Sequence, residues 1–101
     1  MSMKMDLIKR GNDAELKMDG YLDATNAAEV EDVLMDVAGK FDNLRLDMEK
    51  LEYVSSAGLR AFKRVYMELR RKGGTLSAKN VDKAIMEVLE VTGFTRLFKF
   101  V

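Results

Sequence analysis

Two short runs of alternating apolar and polar residues open the chain and predict a β-hairpin. The runs cover residues 3–8 and 14–18, and Gly11, Asn12 and Asp13 lie between them. Glycine, asparagine and aspartate tolerate the positive φ angles of tight turns, so this tripeptide suits the connection. We therefore expect two antiparallel strands, the second of which ends at Asp19-Gly20.

Apolar residues spaced three or four positions apart recur in three later segments and predict three amphipathic helices. Each segment follows a residue type that commonly caps a helix, and glycines follow them as stop signals. We expect the first helix from a cap at Thr25 or Asn26 to residue 38, the second from Ser55 or Ser56 to residue 72, and the third over residues 81–91 after a cap at Asn80.

Short apolar runs between these helices predict further strands. Residues 44–48 and 75–78 read as strands, with residues 51–54 as a connection, and residues 94–98 read as a helical turn before an extended end. Because strands alternate with helices, we expect parallel pairing and right-handed crossovers. The predicted fold is α/β, with a mixed sheet of four to five strands, helices packed on one side, and one domain over residues 1–101.

The composition of the chain excludes several classes of function. Lys and Arg together number 17, and Asp and Glu together also number 17, so the chain has no net charge. It therefore lacks the overall positive charge that favours binding to nucleic acid or to an anionic membrane. The chain has neither histidine nor cysteine, which removes the usual catalytic triads, disulfides and zinc sites. We expect no cofactor and no metal. Since no apolar run has the length of a signal peptide or a membrane span, we also expect no membrane insertion and a cytoplasmic location.

Residues 51–60 carry the most informative pattern in the chain. A predicted strand leads into a helix through two hydroxyls, Ser55 and Ser56, followed by the small residues Ala57 and Gly58. Small residues leave the first N–H groups of a helix open, and such a helix start favours anions, including a phosphate on Ser56. The alternative is structural: one serine caps the helix, worth about 1 kcal/mol, and Gly58 allows close packing. Physics alone favours the cap.

The same segment resembles the signature loop of the STAS domain of bacterial anti-sigma factor antagonists. With Gly58-Leu59 aligned, the family's phosphorylated serine falls on Ser56, its preceding Asp on Ser55 and its second hydroxyl on Ala57. Three more segments resemble the family in the same order along the chain: Gly20-Tyr21-Leu22-Asp23 with Thr25-Asn26-Ala27, Arg71-Lys72-Gly73-Gly74-Thr75-Leu76, and Val88-Leu89-Glu90-Val91-Thr92-Gly93-Phe94 with Leu97-Phe98.

This resemblance implies a partner-switching function. The unphosphorylated protein would bind an anti-sigma factor that is also a Ser/Thr kinase, and would thereby free the sigma factor. The kinase would then phosphorylate Ser56, with Ser55 as a rival acceptor, and a PP2C-type phosphatase would reverse the reaction. The protein would thus be a ligand and a substrate, not an enzyme, and would not contact nucleic acid directly.

The resemblance also implies a docking surface around the loop. Asp23 matches the family's turn aspartate, although an Asx-turn or a helix cap explains it equally well. Arg60, Lys63 and Arg64 project from the polar side of the second helix, either as a solvated face or as a surface for an acidic partner. The expected partner-binding residues are Asp23, Ser55, Ser56, Ala57, Gly58, Arg60, Lys63 and Arg64.

Two alternatives remain open at this point. A STAS domain can also serve as an accessory or scaffold subunit of a lipid transporter or a stress-signalling assembly, without a phosphorylation switch. A different class of protein would bind or hydrolyse nucleotides at the anion-friendly helix start, but neither a P-loop nor a Gly-x-Gly-x-x-Gly motif supports it.

Overall fold

The computed structural model describes residues 3–101, in which a five-stranded sheet follows the order of the chain. Strand β1 is antiparallel to β2, and β2 to β5 are parallel neighbours, which confirms the expected mixed sheet. The strands are β1 (Met3–Arg10), β2 (Asp13–Leu22), β3 (Asn43–Val54), β4 (Thr75–Lys79) and β5 (Lys99–Phe100).

Three α-helices and one 3-10 turn connect the parallel strands. They are α1 (Ala27–Lys40), α2 (Ser56–Arg71), α3 (Lys83–Thr92) and the turn Phe94–Leu97. Along β2, even-numbered residues are buried and odd-numbered ones are exposed or half-buried, as alternation in a strand requires. The buried face packs against the helices, which confirms their placement on one side.

The core lies between this buried face and the helices. Phe62 of α2 is fully buried and meets the ring of Phe98 edge to face, with the ring centroids 5.6 Å apart. Leu34 of α1 and Leu46 of β3 are also fully buried. Each buried side chain of this size contributes about 1.5–3 kcal/mol relative to exposure, so the helical stripes hold the helices on the sheet.

All four of the longer strands extend beyond their predicted ends, and β3 does so by the most. Strand β2 continues past Asp19-Gly20 to Leu22, and β3 includes residues 51–54, which were expected to be a connection. The pairing of β2 with β3 shifts between Lys17 and Asp19 and again between Gly20 and Tyr21. Both shifts place the extra residue on β3, whose burial pattern therefore loses the two-residue alternation that predicts a strand, although its backbone stays extended.

The third helix begins later than predicted. Its cap is Asp82, whose Oδ1 accepts a hydrogen bond from the Ile85 N–H at 2.8 Å, and not Asn80. Asn80 instead has a left-handed backbone, with φ of 58°, and its amide donates to the buried carboxylate of Asp47 at 3.1 Å. Asparagine tolerates this conformation, so here it makes a turn that anchors β4 to β3.

Candidate docking and modification site

The candidate site forms where β2 and β3 end side by side. Leu22 and Val54 are register partners at the ends of these parallel strands. The Ser55 N–H donates to the Leu22 carbonyl at 2.8 Å, which ties together the two loops that follow. Asp23 and Ser55, distant in sequence, therefore lie at one edge of the sheet, as the expected site requires.

Ser55 is the cap of α2. Its backbone is extended, and its Oγ accepts a hydrogen bond from the Gly58 N–H at 3.2 Å. Its carbonyl accepts from the Leu59 N–H at 2.9 Å. These are the two contacts of a helix N-cap. The structural role that either serine might have filled therefore belongs to Ser55.

Ser56 is the first residue of α2 and is exposed. Within residues 3–101 its hydroxyl makes no hydrogen bond, and the first turn of the helix carries no acidic side chain. The hydroxyl thus faces solvent at the positive end of the helix dipole. The two neighbouring serines consequently differ: the Ser55 hydroxyl is hydrogen-bonded within the fold, and the Ser56 hydroxyl is exposed to solvent.

Gly58 is a close-packing residue. A Cβ added there would lie 2.6 Å from Cγ of Leu22 and 3.0 Å from Cγ2 of Val54, both buried side chains. The start of α2 thus rests directly on the ends of β2 and β3. The expectation that small residues leave the N–H groups of this turn open is wrong for Gly58, because Ser55 occupies that N–H.

Asp23 forms the Asx-turn that was one of its two predicted roles. Its Oδ1 accepts from the Thr25 N–H at 2.9 Å and from the Thr25 hydroxyl at 2.5 Å. These hydrogen bonds, the hydroxyl first, lower the pKa of the Asp23 carboxyl. The Asp23 carbonyl also accepts from the Ala27 N–H at 3.0 Å. The carboxylate is half-exposed beside the Ser55 loop but is committed to its own turn.

Asn26 is a structural residue of this edge whose role the sequence did not reveal. It stands at the N-cap position of α1, but its side chain does not cap that helix. It is 3% exposed; its Oδ1 accepts from the Asp23 N–H at 3.0 Å, and its Nδ2 donates to the Tyr21 carbonyl at 2.8 Å. Because Asn26 precedes a helix, the sequence predicted that it or Thr25 caps that helix. Its hydrogen bond to the Tyr21 carbonyl of β2 was not predicted.

The exposed face of α2 presents the three predicted cations. Ser56, Arg60, Lys63 and Met67 recur at helical spacing and are all exposed; we call these four residues the α2 stripe. Arg64 lies beside it, and its Nη1 is 2.9 Å from Oε2 of Glu31 on α1. Within the described chain, Arg60 and Lys63 form no ion pair. The structure therefore gathers these cations near Ser56 but commits Arg64 to α1.

An exposed tyrosine pair adjoins the same edge. Tyr21 and Tyr53 are register partners in β2 and β3, and they are 47% and 50% exposed. Each directly precedes the buried residue that leads into its loop. Sequence reasoning missed this pair because only the strand register makes the two residues neighbours.

Two further kinds of feature, a metal-binding cluster and a membrane-spanning helix, are absent from the residues that the structure describes. No cluster of three or more potential ligands (His, Cys, Asp or Glu) suits a metal ion among residues 3–101. None of the helices described there is long and apolar enough to cross a membrane.

The chain is similar to known proteins over nearly its whole length. A family profile described as "STAS domain" matches residues 4–101. An anti-sigma-B factor antagonist of Bacillus subtilis is 24% identical over 93 residues, which cover 92% of this chain and 85% of that protein. The Bordetella bronchiseptica protein BtrV, whose name makes it a candidate anti-sigma factor antagonist, is 34% identical over 91 residues, covering 81% of this chain and 78% of that one.

A solved structure with the same fold extends the comparison. The structure of the Bacillus cell-fate determinant SpoIIAA in its phosphorylated form superimposes with a TM-score of 0.74 and 15% sequence identity. The superposition covers 99% of this chain and 91% of that one. At this identity the likeness concerns the fold, and it confirms the expected strand and helix arrangement.

Proposed function

The chain belongs to the STAS domain family, and from that premise we propose that it is an anti-sigma factor antagonist that phosphorylation of Ser56 switches off. The names of two relatives support the first half of this proposal. The observation that carries the second half is the difference between the serines. Ser56 offers an exposed hydroxyl without a hydrogen bond in the described chain, whereas Ser55 caps the helix.

In the unphosphorylated state the protein binds an anti-sigma factor that is also a Ser/Thr kinase, and the sigma factor is released. The docking surface consists of the α2 stripe with the loop residues beside it. Its exposed cations support an acidic partner surface, since complementary charge steers association and orients the complex. Its members are the predicted residues Asp23, Ser55, Ser56, Ala57, Arg60, Lys63 and Arg64, together with Met67 of the stripe. Gly58, which was also predicted to bind the partner, is buried and supports the surface through its packing.

The modification is a phosphoryl transfer in which this chain supplies only the nucleophile. Oγ of Ser56 attacks the γ-phosphorus of ATP, which the kinase holds with magnesium. The Oγ–P bond forms as the bond from that phosphorus to the bridging oxygen of ADP breaks, and the hydroxyl proton passes to a base of the kinase. Exposure of Ser56 supports this step because the hydroxyl can enter another protein's active site without unfolding α2.

The phosphate would change charge without changing shape. It adds about −1.5 to −2 charges at neutral pH in the middle of the docking surface. A loss of only about 3 kcal/mol of binding free energy lowers affinity more than a hundredfold. A PP2C-type phosphatase then hydrolyses the phosphoserine and restores binding. Because the kinase and the phosphatase perform the two reactions, the protein itself is a ligand and a substrate, not an enzyme. We place this cycle in the cytoplasm.

The decisive experiment is intact-protein mass spectrometry after incubation with extract of the native cells and ATP. The wild type should gain one phosphate, Ser56→Ala none, and Ser55→Ala should still gain one. Phosphorylation of Ser56→Ala would move the acceptor to Ser55 or elsewhere. Absence of phosphate in all three, with recovery of transporter or scaffold subunits in a pull-down, would favour the accessory role of the STAS domain.

A further inference from the structure

Ser56 and Arg60 occupy adjacent turns of α2 on the same exposed stripe. Residues four apart on a helix are neighbours, separated by about 6 Å of rise along the axis. Helical side chains also lean toward the N-terminus of their helix, so a long side chain at position 60 covers the turn that contains position 56. The guanidinium of Arg60 can therefore reach a group attached to the Ser56 hydroxyl.

Among the cations of α2, Arg60 is the closest in the helix to Ser56, and it has no competing partner among the described residues. It is exposed and forms no ion pair or hydrogen bond with any residue in the described part of the chain. Lys63 lies about 10 Å of rise beyond Ser56. The remaining cations of the helix have other contacts: Arg64 with Glu31, Arg70 with the hydroxyl of Tyr66, and Arg71 with Glu68.

Resting on the function proposed above, we propose that Arg60 is an internal ligand of the Ser56 phosphate. An arginine fork binds two phosphate oxygens at once, which an exposed lysine farther along the helix cannot match. Within the first turn of α2 no carboxylate competes for the guanidinium. The carboxylate of Asp23 lies at the same edge but is turned onto Thr25.

This contact gives the phosphate a second effect. In the unphosphorylated protein Arg60 is a free cation of the docking surface. Once Ser56 is phosphorylated, the guanidinium is held by the chain's own phosphate and no longer meets an acidic partner. The modification then adds negative charge and withdraws a positive charge at the same surface.

The test measures the phosphate directly and needs no kinase. Phosphoserine is incorporated at position 56 during translation, in the otherwise wild-type chain, in Arg60→Gln and in the matched control Lys63→Gln. Phosphorus NMR then follows the second ionisation of the phosphate against pH at low salt. A cation in contact favours the dianion, so Arg60→Gln should raise the midpoint by about half a pH unit. Lys63→Gln should raise it by less than half as much.

Two outcomes would overturn the proposal. Equal midpoints in the wild type and Arg60→Gln would show that the guanidinium does not bind the phosphate. Equal shifts in Arg60→Gln and Lys63→Gln would show a general field of nearby cations and no specific ligand. Because the phosphoserine is incorporated during translation and not by a kinase, these results stand even if no kinase modifies Ser56. Kinase assays on the unmodified chain test that modification separately.

Discussion

The starts of α1 and α2 lie at the same edge of the sheet, yet they use their polar side chains differently. At the start of α1, Asp23 bonds to Thr25 and Asn26 bonds back to β2, so the polar groups satisfy one another. At the start of α2, Ser55 makes the cap while the neighbouring Ser56 hydroxyl makes no bond within residues 3–101.

This difference explains how one edge could hold both a structural anchor and the proposed switch. A hydroxyl that is to be modified reversibly must contribute little to the fold, or each modification would also unfold the helix. The α1 start and Ser55 provide the anchoring bonds, which leaves Ser56 dispensable for stability. The comparison can be tested by removing each anchoring side chain in turn. The loss in the free energy of unfolding should be larger for each anchor than for the Ser56 hydroxyl.

The largest effect is expected from filling the space above Gly58. Gly58→Val should lower the free energy of unfolding by about 3 kcal/mol, because the added carbons would press on the buried side chains of Leu22 and Val54. Urea unfolding measures this. The control is Gly39→Ala in α1, where an added Cβ meets nothing within 4 Å; it should raise stability by up to about 1 kcal/mol. A neutral Gly58→Val would refute the close contact.

The next largest effect concerns the α1 anchor. Asn26→Ala should cost about 2 kcal/mol in the free energy of unfolding, because a buried amide loses its bonds to the Asp23 N–H and the Tyr21 carbonyl. Asn26→Asp keeps the acceptor but turns the donor into a buried carboxylate oxygen facing the Tyr21 carbonyl, so at neutral pH its cost should be no smaller. Equal stability of Asn26→Ala and the wild type would show that this network does not anchor the edge.

A smaller effect separates the two serines. Ser55→Ala should cost about 1 kcal/mol through loss of the cap, while Ser55→Asp, which also caps well, should stay close to the wild type. Ser56→Ala should change the free energy of unfolding by less than about 0.5 kcal/mol. Thermal and urea unfolding of the three variants measures the difference. A Ser56→Ala variant as costly as Ser55→Ala would remove the distinction on which the proposed switch rests.

This serine distinction also marks where sequence reasoning stopped. The hairpin, the amphipathic helices and the glycine that ends α3 were predictable because each depends on a local pattern. The division between Ser55 and Ser56 depends on backbone angles at the junction, where two identical side chains give no local signal. The sequence predicted a candidate site at the start of α2, but its local pattern did not distinguish the capping hydroxyl from the free one.

Longer-range features were missed for a related reason. The continuation of β3 past Met48 depends on pairing with β2 across a register shift, which hides the alternation. Asn80 was predicted to be a helix cap because it precedes a helical pattern. Its actual partner, Asp47, lies 33 positions away in the sequence and gives no local signal. The tyrosine pair likewise exists only once β2 and β3 are in register. Each of these depends on the neighbour that a residue acquires in the sheet.

The smallest expected effect is the pH response of the α1 start. Hydrogen bonds from Thr25 lower the pKa of Asp23, so the folded state holds its proton less tightly than the unfolded chain. Their stabilisation is therefore present above the ordinary aspartate pKa of about 3.9 and is lost as pH falls through the lower folded value. Thr25→Val removes the hydroxyl donor but keeps the N–H.

In that variant the pKa of Asp23 should rise toward the ordinary value without reaching it, as carbon-detected NMR titration of the carboxyl group can show. Ser56→Ala is the matched control and should leave this pKa unchanged, since its hydroxyl takes no part in the Asp23 turn. An unchanged pKa in Thr25→Val would mean that the hydroxyl does not hold the carboxylate. The Thr25 N–H would then be the remaining donor in the turn, so the Asp23 carboxylate could turn more easily toward a partner. The two helix starts would be less different than their hydrogen bonds indicate.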